Sequence, residues 1–212
     1  MLVTSIVVAA LSGCGTAADR TEVADASAAV RSSPTSSSSE TSTGRPGLTA
    51  PRAGWSIGLP AGWVAVNRDE LRALDDASVA QLATTMNVDP GFLERFTELG
   101  PFEAYAADPE NRRELRVVFG PQRLLPGRET VEALIEPFDG SVDSSTSVRT
   151  PAGNLAVTFF QGGDTVNGSF GALIMGSGAD ASSTIVLYLF AESPAALKTL
   201  LDEVAPRLRL TA

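Results

Sequence analysis

The stretch TIVLYLFA, Thr184 to Ala191, is apolar at both odd and even positions. A strand with one face in water alternates between apolar and polar residues. This one does not, so it is predicted to be a central strand covered on both faces. Everything else the chain folds into has to supply that cover.

The neighbouring sequence supplies candidates. SSTSVRT, the turn Pro151-Ala152-Gly153 and NLAVTFFQG read as a hairpin of period two. Asn167-Gly168 then joins AVTFFQG to SFGALIMGS across a longer loop. Gly178 to Ala181 turns the chain into TIVLYLFA. Ser193-Pro194 opens a terminal helix with Leu197, Leu200, Leu201 and Val204 inward, and Lys198 and Asp202 able to pair outside.

Upstream, Trp55, Ile57 and Leu59 alternate as a half-buried strand, and Pro60-Ala61-Gly62 turns into a second strand with Trp63, Val64 and Val66. Asn67 and Glu70 have the spacing of a capping box. The spacing predicts a helix with Leu71 and Leu74 on one face, continued by Val79, Leu82 and Met86. Asp89-Pro90 starts another, with Phe92, Phe96 and Leu99 as its buried stripe. FEAYAA and ELRVVFG are strands separated by Asp108 to Asn111. Pro121 to Gly127 is a loop, and Glu129 to Phe138 is a helix with Val131, Leu134, Ile135 and Phe138 inward. The order predicts an α+β domain: mostly antiparallel sheet, a late meander, and helices on both faces.

The first fifty or so residues are of another kind. Leu2 to Leu11 is apolar apart from Thr4 and Ser5, and too short to span a bilayer. It suits the apolar core of a signal peptide. The next residues, Leu11-Ser12-Gly13-Cys14, resemble the lipobox of bacterial lipoproteins. That resemblance implies signal-peptidase recognition through Leu11, Ser12 and Gly13 and cleavage before Cys14. It also implies a diacylglycerol thioether, with an N-acyl chain, on Cys14. A thiol is the side chain with the nucleophilicity for thioether formation, and small residues give the peptidase access to the backbone. Two or more acyl chains give stable anchoring. No Lys or Arg precedes the apolar run, so a short basic segment upstream of Met1 is expected. With Cys14 committed to lipid, the sole cysteine leaves the domain without a disulfide.

Residues 15–53 are rich in Ser, Thr, Ala, Gly and Pro around PTSSSSETSTG, with no sustained apolar period. Such a segment is expected to be a disordered spacer, with a reach of roughly 35 Å and a composition open to O-linked sugar. The division is therefore 1–13 signal peptide, 14–53 anchored linker and 54–212 a single globular domain.

Charge narrows the partners. Acids and bases cancel over the first 53 residues, so the net charge of −9 belongs to the domain. An acidic domain is repelled by phosphate backbones and by anionic lipid head groups, so nucleic-acid binding is not expected and membrane attachment is expected to come from something other than a basic face. The predominance of arginine over lysine and the abundance of alanine suggest a GC-rich bacterial source.

The opening W-LP-GW pattern, PAGW after the first strand, VRTPAG in the late meander and the capped terminal helix resemble the PsbP-like α-β-α sandwich. In particular, the chain is similar to small lipoproteins of the LpqN/LpqT type from mycobacteria and their relatives. The resemblance spans roughly residues 54–210 together with the lipobox and linker. It implies a non-enzymatic assembly or binding role at the cell envelope, and carries over no catalytic or ligand residue.

The residues themselves point the same way. With no histidine the usual serine triad cannot be built. A Ser–Lys dyad would have to use Lys198, on a solvated helix face. Asp139 to Asp143 lacks the spacing of a calcium loop, and a zinc site would need carboxylates alone. Asp69-Glu70 and Asp75-Asp76 read as helix N-terminal charge. The glycines at 162, 163, 168, 171, 176 and 178 lack the phosphate-loop pattern and read as turns and bulges. Trp55 and Trp63 read as core anchors rather than ligand walls. No cofactor and no metal is expected.

The expectation is a lipid-anchored extracytoplasmic module that recognises an envelope protein or an amphiphile. Two alternatives stay open: a carrier holding a small amphiphile or lipid between sheet and helix, and an envelope hydrolase working with carboxylates.

Overall fold

The structure is a computed structural model that describes residues 47–98, 101–162, 169–178 and 180–211. Its centre is a seven-stranded, wholly antiparallel sheet. The strands are β3 (Val64–Asn67), β4 (Phe102–Asp108), β5 (Arg113–Gly120), β6 (Ser141–Thr150), β7 (Gly153–Gln161), β8 (Phe170–Ser177) and β9 (Thr184–Ala191), in the spatial order β3-β4-β5-β9-β8-β7-β6. A second sheet of three strands joins β1 (Gly47–Ala50) and β10 (Leu208–Leu210) to the two sides of β2 (Trp55–Gly58).

Every residue of β9 is buried. Ile185, Leu187 and Leu189 point into one core, with Trp55, Ile57 and the helix α5 (Pro194–Val204). Val186, Tyr188 and Phe190 point into the opposite core, against Val131, Ile135 and Phe138 of the segment holding helix α4 (Arg128–Ile135). The doubly apolar strand is covered on both faces, by α5 and the small sheet on one side and by helices on the other. This is the α+β architecture with mostly antiparallel sheet that the sequence predicts.

The helical side has two blocks. Helices α1 (Arg68–Arg72), α2 (Asp76–Met86) and α3 (Pro90–Glu98) bury Leu71, Val79, Met86, Leu93 and Phe96 over Tyr105 and Ala107 of β4. The other block is α4, followed by a 3-10 turn Glu136–Phe138. The expected capping box is present. Glu70 N donates to Asn67 Oδ1 at 2.8 Å and Asn67 N to Glu70 Oε2 at 3.0 Å.

Four expectations are corrected. Gly47–Ala50, which the sequence reads as linker, is a strand, because Leu48 and Ala50 are buried against β2. The single helix expected from Asn67 to Met86 is two. Asp75 accepts from Ser78 N at 2.8 Å and starts a new helix, which turns Leu74 out to solvent. In α3, Leu93 and Phe96 are the buried pair and Phe92 is half-buried, while Leu99 lies outside the described residues. The opening strand β2 belongs to the small sheet and not to the main one, and its partner β10 has only three residues, too few to show a period.

Candidate binding groove

The main sheet is wider than its cover. Helix α5 lies over β9 and β8. Ser193 caps it, accepting from Ala196 N at 3.2 Å, and Pro194 occupies its first turn. Leu197, Leu200, Leu201 and Val204 press on the sheet below. Beyond β8 the sheet continues for two strands, β7 and β6, over which the cover by α5 thins and only the 3-10 turn Ala205–Arg207 that follows it approaches β6. The step from helix to bare sheet is a groove with a cavity volume of about 580 Å³.

Its floor is set by strand parity. Phe159 pairs with Ala172 and Gln161 with Phe170, so Phe159 and Phe170 share the face that α5 covers further in. Val148, opposite Leu155, extends the floor onto β6. All three are half-buried and packed on the core. Leu197 and Leu201 form the helix wall. On the rim Lys198 Nζ meets Asp202 at 2.7 Å, both side chains mostly exposed. Apolar floor and wall with a charged rim make a seat for an apolar chain carrying a polar head, or for an apolar segment of a protein.

The edge strand β6 is unlike its neighbours. Its residues SVDSSTSVRT are exposed except for Val148, which is half-buried, and Thr150, which is buried. Ser145 and Thr158 hydroxyls lie 3.2 Å apart across the β6–β7 pair on the opposite face. A polar edge of this kind resists unplanned strand pairing.

The buried charges lie elsewhere: Arg116 and Glu114 between the two helical blocks, and Asp108 with Arg113 beside Glu203 of α5. Arg116 pairs with Glu114, and its guanidinium sits over the rings of Phe92, Phe138 and Phe190 at 5.1, 5.3 and 5.2 Å. The Tyr105 hydroxyl donates to Glu114 Oε2 at 3.2 Å. Asp108 would be pushed up by burial, but hydrogen bonds from Arg113 (2.6 and 3.0 Å) and Asn111 outweigh it and hold the carboxyl below its ordinary value. Glu103 is bound by Arg52. Burial pushes the Tyr188 phenol up, and it donates to Leu134 O at 3.0 Å. The buried carboxylates Glu103, Asp108 and Glu114 are each held by an arginine.

The residues singled out in the sequence are dispersed. Leu11, Ser12, Gly13 and Cys14 lie outside the described residues. Trp55 and Trp63 are both buried as core anchors. Trp55 Nε1 donates to Ser177 O at 3.0 Å, whereas Trp63 Nε1 has no partner among the described residues. Asp139 takes a left-handed turn at φ 50°, and among the described residues no group of three or more acidic or cysteine side chains could hold a metal. Gly171 faces the ring of Phe160, where any Cβ would collide at 2.2 Å, so its glycine serves packing. Lys198 and Asp202, read only as a surface pair, prove to be the groove's rim. The groove's floor was missed, because strand period gives the face of Phe159 and Phe170 but not how far a helix extends over it.

Among the described residues no helix is long and apolar enough to cross a membrane. No family model and no curated protein matches the sequence. Among solved structures the chain is similar to the solution structure of cyanobacterial PsbP (CyanoP) from Synechocystis sp. PCC 6803, with 12% identity and a TM-score of 0.46, over 78% of this chain and 91% of that one.

Proposed function

We propose that the protein is a lipid-anchored, non-enzymatic binding module on the extracytoplasmic face of the cell membrane, and that it engages its ligand in the groove beside α5. The observation that carries this is the uncovered flank of the sheet. Phe159, Phe170, Val148, Leu197 and Leu201 line an open apolar groove with a charged rim. Lipid on Cys14 holds the domain at the bilayer and the Ser/Thr-rich segment spaces it. The resemblance to envelope lipoproteins of the LpqN/LpqT type supports the same placement.

Anchoring and binding are tested separately. The mature protein from its native host is expected to begin at Cys14 with the mass of a diacylglycerol adduct and to enter the detergent phase. Cys14→Ser should move it to the aqueous phase. A native protein already in the aqueous phase, with a free thiol, refutes the anchor. For the groove, Thr146→Trp places a large ring at an exposed position of β6 that borders the groove and the two recesses beside Pro126. An envelope protein retained by the native chain and lost with Thr146→Trp supports the module. Equal retention by both refutes the groove as its seat.

The aromatic and aliphatic lining favours one second reading, that the occupant is a small amphiphile carried by the protein. Native mass spectrometry of the gently extracted protein would then show a bound lipid, absent from Thr146→Trp.

A further inference from the structure

Large apolar side chains exposed among the described residues are Leu74, Leu124, Leu125, Val142 and Leu210. Four of the five gather in one region. Leu124, Leu125 and Leu210 line a recess with Arg123, and Val142 lines the adjoining recess with Arg128. Pro126 and Thr146 belong to both recesses, and neither is lined by an Asp or a Glu. In a chain of net charge −9, the charged side chains that line these two recesses are both arginines. Arg123 has no ion pair or hydrogen bond among the described residues, and Arg128 meets Glu132 on the surface at 2.6 Å.

The centre of this region is the loop Arg123-Leu124-Leu125-Pro126-Gly127-Arg128, two leucines between two arginines. It is held in shape by one buried hydroxyl. Thr184 Oγ1 donates to Gln122 O at 3.0 Å and accepts from Leu124 N at 2.7 Å. Gly127 N donates to Leu125 O at 2.7 Å, and Pro126 has no N–H to satisfy. The loop therefore presents Leu124 and Leu125, 36% and 68% exposed, on a backbone pinned at Gln122 O, Leu124 N, Leu125 O and Gly127 N. Each backbone group already engaged lowers the desolvation cost of entering a medium poor in water.

We propose that this loop, with Leu210, docks on an anionic bilayer surface: Leu124 and Leu125 enter the boundary between head groups and acyl chains, and Arg123 and Arg128 meet lipid phosphates. Aliphatic side chains flanked by arginine match that boundary, since arginine keeps its charge among head groups while its stem stays in the apolar layer. The patch is small against the roughly 1,000 Å² a stable protein interface needs. A tethered domain needs less, because its anchor keeps it at high effective concentration beside the membrane. The inference rests on the bilayer-proximal placement proposed above, and it adds an orientation to a body otherwise free to tumble on its tether.

The test removes the anchor so that the loop acts alone. The full chain with Cys14→Ser is floated with vesicles of equimolar phosphatidylglycerol and phosphatidylcholine, and with vesicles of phosphatidylcholine only. Flotation with the anionic vesicles that weakens as salt rises is expected. Leu124→Ser with Leu125→Ser should lower the partition coefficient at least about tenfold, and Arg123→Gln about fivefold on anionic vesicles only. Thermal unfolding curves matching that of the parent show these variants folded. Leu125→Trp gives a readout that needs no loss of function, since its emission should shift to the blue on anionic vesicles. No flotation by the Cys14→Ser chain, equal flotation of the double serine variant, or an unshifted tryptophan overturns the proposal. So does a double serine variant that keeps its vesicle binding and loses a cross-link to an envelope protein. Failure of the anchor itself is read elsewhere, in the mass of the native mature protein.

Discussion

Two strands of one sheet, β9 and β6, are opposites. β9 is eight residues of TIVLYLFA, buried throughout and flanked by β5 and β8. β6 is ten residues of SVDSSTSVRT at the edge, exposed along most of its length. Both are antiparallel, but β9 is paired along both sides whereas β6, irregular between Val142 and Ser144, is paired with β7 alone. Cover widens the difference. α5 and α4 lie over the middle of the sheet, and toward β6 the cover on the α5 side thins to the turn Ala205–Arg207. Stability is concentrated where the cover is complete, and the open groove lies where it stops.

The sharpest way to break this comparison is at the buried charges beside β9. Arg116→Ala leaves Glu114 buried without its partner, a loss of about 3–5 kcal/mol. The paired replacement Arg116→Met with Glu114→Gln should recover much of it. Chemical denaturation of Arg116→Met, Glu114→Gln and the double reads the coupling, and additive losses would show that the pair is not coupled. Next in size, Leu187→Ala on β9 should cost about 2–5 kcal/mol, whereas Ser145→Ala on β6 should stay within about 0.5 kcal/mol. Similar urea midpoints for the two would erase the distinction drawn between the strands.

A pH dependence sharpens the picture at the sheet's other flank. The Asp108 carboxyl is held below its ordinary value, so the folded state binds that proton less readily than the unfolded chain does. Its contribution is present above the usual carboxylate range near pH 4 and is lost as pH falls through the depressed value. Asp108→Asn should lower stability at neutral pH and flatten the acid limb of the stability profile. An acid limb as steep as that of the native chain counts against this. The smallest effect belongs to the groove's rim. Lys198→Ala removes an exposed pair with Asp202 and should change stability by only about 0.3–0.5 kcal/mol, read as a near-identical melting curve.

The parts of the fold legible in the sequence are those with a strong local signal. TIVLYLFA announced a strand covered on both faces, Asn67 and Glu70 a capping box, Ser193-Pro194 a helix start, and Pro151-Ala152-Gly153 a hairpin. Each is decided by residues within a few positions of one another. What stayed hidden depends on distant partners. Gly47–Ala50 reads as linker because its strand exists only through pairing with β2, and β10 is too short to have a period. Leu74 fitted the apolar stripe of one long helix, yet Asp75 recapped the chain and placed it outside. The groove was the least legible feature, since its walls come from β6, β7, β8 and α5 and its existence depends on where α5 ends its cover.

The most direct test of the central claim is a titration of the full chain with an alkyl maltoside below its micelle concentration, followed by methyl and aromatic NMR shifts. The account predicts saturable changes at Val148, Phe159, Phe170, Leu197 and Leu201, abolished by Thr146→Trp, with β9 unmoved. Shifts absent from those five residues, or unchanged by the blocking tryptophan, would contradict it.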